Sequence, residues 1–364
     1  MSDLSATAPR RAADPADAAP ARLRLLDADP QQRARWDAFV LACPQATFFH
    51  RAGWQTVIEQ AFGHRTWFYY VEQGGQIRGV LPLAQVRSRL FGHALTGLPF
   101  CVYGGVAALD AAAGAMLEAA AVALARQLRP GHLELRDLLP APPDPRWRGK
   151  ALYVTFRKEI GADNEANLNA IPRKQRAMVR KGMKCGLQGQ VDDDVERFFR
   201  AYARSVHRLG TPVFSKRYFA LLKQEFGADC EVRVIVRGSE LVAGVLSFFF
   251  RDEVLPYYGG GMDVAREVAG NDFMYWDLMQ ASATRGCRIF DFGRSKLGTG
   301  AYDFKKNWGF TAQPLHYRYQ LFGSDDLPDV NPLNPKYRLF IALWRRLPGA
   351  LVNRLGPYLV KQLG

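Results

Sequence analysis

The densest group of chemically capable residues is the segment FDFGRSKLGTGAYDFKKNWGF, residues 290–310. Arg294, Lys296, Lys305 and Lys306 crowd it, together with Asp291, Tyr302, Asp303 and the glycines Gly293, Gly298 and Gly300. The run before it reads as a strand, so these groups gather beyond a strand's carboxyl end, where open α/β sheets collect their ligands. Glycines allow close backbone approach, and cations stabilise a phosphate or a developing oxyanion. One well-placed oxyanion donor is worth about 2.7–4 kcal/mol of barrier. Lys305, Asp291 and Tyr302 are the catalytic candidates. Asp291 either takes a proton from an attacking amine or pairs with Arg294. Arg294 and Lys296 are candidate anion contacts, against the plainer reading of a solvated basic loop.

Other chemistries lack their residue patterns. Six histidines form no H-E-x-x-H spacing, and no G-x-S-x-G nucleophile elbow occurs. Five cysteines, an odd count with no C-x-x-C pair, read as reduced and mostly buried thiols of a cytoplasmic protein rather than a metal or redox site. No helix-turn-helix, zinc-finger or RRM signature is present, so sequence-specific DNA binding is not expected.

The elements that must position the segment come from an internal repeat. Phe62-Gly63 and Phe226-Gly227 lie 164 residues apart, and the same offset relates Trp54 to Tyr218 and Gly74-Gly75 to Gly238-Ser239. A second offset of 155 relates Tyr103-Gly104-Gly105 to Tyr258-Gly259-Gly260. Each copy reads as a helix (51–62, 216–226), a hairpin, a further strand ending in Tyr-Gly-Gly, a long helix (111–128, 271–285) and a short strand (132–136, 288–292). Helices flanking alternating strands give an α/β fold, a mixed sheet with helices on both faces, present twice. The expected organisation is a disordered tail (1–20), a first domain (21–160), a basic inter-domain helix (161–190), a second and catalytic domain (191–325) and a basic amphipathic tail (326–364). Arg51, Lys216 and Arg217 lie at corresponding helix starts, where they either grip a substrate's phosphates or carry ordinary surface charge. Tyr258 either lines a cleft between the copies or packs in the core.

This element order resembles the GNAT acyltransferase fold. The motif strand–D-F-G…G-x-Y-x-F-K-x-x-W-G-F, with LNAIPRKQRAMVRKGMKCGL ahead of it, resembles the FemAB family, whose members carry tandem GNAT domains. PYYGGGMDVAREVAGNDFMYWDLM and NPKYRLFIALWRRLP are similar to the FemAB-related proteins of exosortase/PEP-CTERM systems, which are linked to exopolysaccharide and envelope loci. The resemblance spans about residues 47–321 and implies amide formation on a cell-envelope or exopolysaccharide precursor. It implies that Lys305 holds the donor carbonyl and that Phe304 shapes the pocket. The implied donor is acyl-CoA or aminoacyl-tRNA, with no tightly bound cofactor. The Q/R-x-x-G-x-G/A loop that wraps the CoA pyrophosphate in GNAT enzymes is not matched by GGGMDVAREVAGND, and the long coiled-coil arm of FemA-type enzymes is missing. The alternative is a non-catalytic GNAT-fold protein that binds an anionic ligand such as tRNA, CoA or a nucleotide sugar.

A formal net charge of +14 favours anionic partners of this kind, a lipid-linked sugar included. From Lys336 onward the chain carries six basic residues and no acidic ones, mixed with leucines, valines and Trp344. Such a segment either lies on an anionic membrane or packs back on the protein. The N-terminal stretch has no signal-peptide core, and no apolar run approaches the ~20 residues of a membrane span. The expected location is the cytoplasm, including the inner face of its membrane.

Overall fold

The alternating run from Arg65 and the apolar run after it meet across Gly74–Gly75, whose φ values of 54° and 78° suit a two-residue hairpin turn. The computed structural model describes residues 19–88, 92–323, 327 and 335–362; the expected disordered tail, but for its last two residues, lies outside them. The first half runs β1 (Arg22–Leu25), α1 (Pro30–Ala42), α2 (Gly53–Phe62), β2 (Arg65–Gln73), β3 (Gln76–Ser88), β4 (Gly92–Thr96), β5 (Ala107–Ala108), α3 (Ala111–Leu128), β6 (His132–Asp137) and β7 (Arg148–Gly149). The second runs β8 (Tyr153–Glu159), α4 (Asn164–Asn169), α5 (Arg173–Lys184), β9 (Leu187–Asp192), α6 (Glu196–Leu209), α7 (Lys216–Phe226), β10 (Cys230–Arg237), β11 (Glu240–Phe250), β12 (Glu253–Gly261) and α8 (Gly270–Thr284). It ends with β13 (Ile289–Asp291), β14 (Ser295–Lys296), α9 (Gly300–Asn307), β15 (Ala312–Pro314), β16 (His316–Leu321), α10 (Pro335–Trp344) and α11 (Gly349–Val360).

The duplication is visible in the hydrogen bonding. One sheet runs β1-β2-β3-β4-β6 and the other β9-β10-β11-β12-β13, each antiparallel up to a last parallel pair. Even the irregularities repeat. A bulge falls between Val71 and Glu72 in β2–β3, and between Ile235 and Val236 in β10–β11, at the same offset as the phenylalanines.

Past that shared order each sheet gains a strand from outside its own repeat. β8 lies antiparallel to β13, and β16 lies antiparallel to β6. Each parallel-paired strand would otherwise present an open edge, and each is covered by a strand from beyond the other half. Sheet membership therefore departs from the expected boundaries. Residues 153–159, read as part of the first domain, belong to the second sheet, and residues 316–321, read as part of the second, belong to the first. β9, which begins inside the expected linker, is an edge strand of the second sheet. The linker helix itself is broken at Pro172, whose ring and missing N–H cannot continue a helix.

The Tyr-Gly-Gly of the first copy ends no strand. β4 stops at Thr96, and the chain leaves the sheet with Leu98 and Phe100 at positive φ (58° and 67°). A Cβ on Gly97 would sit 1.9 Å from the Gly104 carbonyl oxygen, so this crossing of backbones needs glycine. Arg136 holds the loop by donating to the carbonyls of Leu98 and Cys101.

The halves meet along α2 and α7, the first helix of each repeat. Trp54 packs on Phe226 (ring centroids 5.3 Å), and its counterpart Tyr218 packs on Phe62, the counterpart of Phe226 (5.1 Å). Such reciprocal contacts are those of a two-fold interface, here built within one chain. Phe48 stacks on Phe248 at 4.3 Å, and one apolar cluster runs through both halves. Among the described residues only α3 is long and apolar enough to cross a membrane, and its Leu117, Ala121, Leu124 and Ala125 are buried against the first sheet. α11 packs back on the protein through Val352, Gly356 and Val360.

Candidate active site

The strand exchange brings the D-F-G motif to the junction of the two sheets. β12 and β13 pair only at Glu253–Ile289 and Val254–Phe290 and then part. At the parting, Asp291 Oδ1 accepts from the Gly293 N–H (2.7 Å) in a turn that puts Gly293 at φ 67°. This left-handed backbone is the reason for glycine after Asp-Phe. Asp291 is 1% exposed, also accepts from the Thr155 hydroxyl of β8 (2.9 Å), and has Arg157 at 3.7 Å. Burial pushes its carboxyl above the usual range, against the opposing pull of Arg157. Of the two roles open to Asp291, the geometry supplies a charge partner, and that partner is Arg157 rather than Arg294.

Lys305, Tyr302 and Phe304 sit on a helix, not on the expected glycine loop. Thr299 caps α9 by accepting from the Tyr302 N–H, and Asp303 complements the first turn. Trp308, fully buried, donates to Asp272 of α8 (3.1 Å), and Gln175 of α5 donates to the same oxygen (2.6 Å), so the W-G-F motif fastens α9 to the helical layer. From this anchored helix Lys305 reaches back and donates to the carbonyls of Gly293 (2.9 Å) and Arg294 (3.1 Å). Burial lowers its pKa to about 8; Asp291 opposes the shift and Arg294 adds to it. Two of its three N–H groups are spoken for, which leaves one for an incoming oxygen.

Arg294 carries the second charge. Its guanidinium lies over Tyr153 (4.9 Å) and Tyr317 (6.0 Å) and donates to the Tyr317 hydroxyl (3.3 Å). No carboxylate pairs with it among the described residues, whereas its neighbours Arg157 and Arg136 are matched by Glu253 and Glu134. The junction therefore holds one uncompensated, always-protonated cation beside a strained ammonium. Tyr317 in turn donates to the Val102 carbonyl (2.6 Å) and Tyr257 to the Phe100 carbonyl (2.7 Å), so the irregular loop of the first half walls the site.

The remaining candidates scatter. Tyr302 packs on Phe156 (5.4 Å), and its hydroxyl has no hydrogen bond among the described residues. Phe304 faces Tyr275 (5.6 Å) and Trp308 (6.2 Å), as part of the packing under α9. Lys296 lies on β14, half-buried, next to the turn. Tyr258 is buried in the core, sharing a hydrogen bond with the Tyr218 hydroxyl (2.9 Å). Arg51 is held by Asp37 (3.0 Å) and Asp229 (3.1 Å), a tie between the halves rather than a free phosphate grip. Lys216 pairs with Glu196 (2.6 Å) and Arg217 is exposed, both away from the D-F-G turn. Sequence reasoning missed Arg157, Tyr153, Tyr317 and Arg136, which come from strands outside the D-F-G segment. Three surface grooves, of about 500, 520 and 820 Å³, run along α5, between α6 and the start of α11, and beside α3, and neither Arg294 nor Lys305 lines them.

This arrangement of two strand-trading modules can be compared with known proteins. The acetyltransferase (GNAT) domain family matches residues 170–306, from the end of α4 to the Lys305 helix. Together with the repeated sheet order, that makes the fold a tandem pair of GNAT-like modules. A tandem GNAT protein from the clavulanic acid biosynthesis pathway superimposes with a TM-score of 0.53 at 13% identity, over 84% of this chain and 100% of its own. FemX superimposes with a TM-score of 0.65 at 14% identity, over 82% of this chain and 97% of its own. L-PGS from Bacillus licheniformis gives 0.53 at 14% identity, over 88% and 97%. At these identities the likeness is one of fold. No curated protein matches the sequence. The GNAT match covers the D-F-G turn, Arg294 and Lys305, but none of the strands β8 and β16 that complete the site.

Proposed function

We propose that the chain is an N-acyltransferase of FemAB type, which passes an acyl or aminoacyl group from an activated donor to an amine on a cell-envelope or exopolysaccharide precursor. The observation that carries the reading is the pairing of Lys305 with an uncompensated Arg294 at the point where β12 and β13 part. In the transfer the amine nitrogen attacks the donor carbonyl carbon, the bond to the donor's sulfur or oxygen breaks, and the amine proton passes to that departing sulfur or oxygen. The negative charge on the carbonyl oxygen is greatest between these events. The third N–H of Lys305 and the field of Arg294 stabilise that charge, in surroundings where burial makes each interaction stronger than in water. Asp291 holds Arg157 and moderates Lys305, so it acts as a positioning charge beside the ammonium. The GNAT match and the FemX likeness support transfer of this class. The motif resemblance to the FemAB-related proteins of exosortase/PEP-CTERM systems supports the acceptor.

A second reading, an anion-binding GNAT-fold protein without turnover, is favoured by the groove along α5, which Arg173, Arg180 and Lys184 line without an acid. Incubation with an acyl-CoA or an aminoacyl-tRNA and an amine-bearing acceptor, followed by mass spectrometry of the acceptor, separates the two. An added acyl or aminoacyl mass supports the transferase. A salt-sensitive complex with the donors and no product from either supports the binding protein.

A further inference from the structure

The last two helices have one face that the fold uses and one that it does not. α11 turns Val352, Gly356 and Val360 inward at four-residue spacing, and a Cβ on Gly356 would lie 2.8 Å from Val213. α10 buries Trp344, whose carbonyl lies 3.3 Å from His207 Nε2, and Arg345 ties it to α6 through the Leu209 carbonyl. The outer face of α11 presents Leu351, Leu355 and Tyr358, exposed to 40%, 41% and 70%. Their spacing of four and then three residues puts them on a single stripe. Phe340 and Leu343 of α10 are likewise exposed. Arg346 and Arg354 are interleaved with these side chains and form no ion pair among the described residues, and the sequence has no acidic residue from 335 to 364.

We propose that the outer face of α10 and α11 docks the protein on the surface of an anionic lipid bilayer. The chemistry of the face selects this occupant. A soluble anion would satisfy the arginines and leave the leucines in water. An apolar protein groove would bury the leucines and strand the arginines without partners. A bilayer with acidic headgroups receives both, because amphipathic helices lie in the interface plane with apolar side chains below the headgroups and cations among the phosphates. The inward face is already committed to the fold, so docking needs no unfolding. The inference stands independently of acyl transfer, since it uses none of the residues at the junction.

Flotation of the full chain with phosphatidylcholine vesicles, with and without phosphatidylglycerol, tests it. The expected result is that the protein floats with the phosphatidylglycerol vesicles and stays in solution with phosphatidylcholine alone. Arg346→Ala with Arg354→Ala weakens partitioning about thirtyfold, since each cation near an anionic surface contributes on the order of a factor of five or more. Leu351→Glu with Leu355→Glu abolishes it. Arg173→Ala with Arg180→Ala, on α5 across the second sheet, leaves it unchanged. All these side chains lie outside the core, and an unchanged thermal transition confirms that each variant folds. Failure of the wild type to float with the acidic vesicles overturns the proposal. So does equal binding to neutral vesicles, or flotation that ignores the α11 substitutions.

Discussion

Lys305 occupies a poor setting for an ammonium, and that sets measurable consequences. Burial brings its pKa down to about 8, with Asp291 opposing the shift and Arg294 reinforcing it. If the ammonium is the oxyanion donor, kcat/KM falls as pH rises through about 8. Asp291→Asn removes the charge that holds the pKa up, so it moves this fall to lower pH, whereas Arg294→Met moves it to higher pH. A pH–rate profile that instead rises through the same region makes the lysine a base and removes its assigned role. Stability carries the opposite sign from a salt-bridged lysine. The folded pKa lies below the unfolded value of 10.5, so the cost of burying the charge is present in full below about 8 and fades as pH climbs toward 10.5. Lys305→Met therefore raises the thermal midpoint at neutral pH and loses that advantage in strong alkali, as calorimetry across pH would show. At this scale the sequence was readable where the contacts are local. Asp291, Gly293, Arg294 and Lys305 fall within one short motif, and the structure brings them together at one turn. Arg157, Tyr153, Tyr317 and Arg136 were not readable, because nothing in a lone arginine or tyrosine says which distant turn it faces.

Among the elements, the helices were legible and the exchanged strands were not. α3 and α7 fall where apolar period and caps place them: Asp110 caps one, and Ser215 caps the other. The two hairpins were marked by their glycines. Membership of β8 and β16 in a sheet is a long-range property that local pattern does not encode, so the domain limits drawn from the repeat missed the exchange. The Tyr-Gly-Gly match misled for a related reason: in the second copy it lies on β12, but in the first its glycines serve a backbone crossing. The seam between α2 and α7 is where packing should cost most. Trp54→Ala removes a fully buried ring from contact with Phe226 and Phe248, and a loss of about 3–5 kcal/mol is expected in chemical denaturation. Arg217→Ala, at the exposed start of α7, is expected to stay within about 0.5 kcal/mol of wild type in the same measurement.

Taken whole, the molecule is two similar modules that cannot be separated. A shared apolar cluster crosses the seam and each sheet takes in a strand supplied from beyond the other module. Halves joined by a large apolar interface unfold together. Scanning calorimetry should show one transition, and removal of everything after residue 315, which takes β16 from the first sheet, should destabilise both halves at once. A surviving second transition would mean that the modules are independent. The same coupling explains how a match confined to residues 170–306 can leave the site incomplete: the GNAT domain supplies the lysine and the turn, and the strands on either side of it supply the tyrosines and Arg157. The account rests on Lys305 acting at that junction. Single-turnover amide formation by Lys305→Ala, with its folding confirmed by an unshifted or raised thermal midpoint, tests this most directly. The rate should fall by about 10²–10³, the loss typical of a missing oxyanion donor; a rate equal to wild type would contradict it.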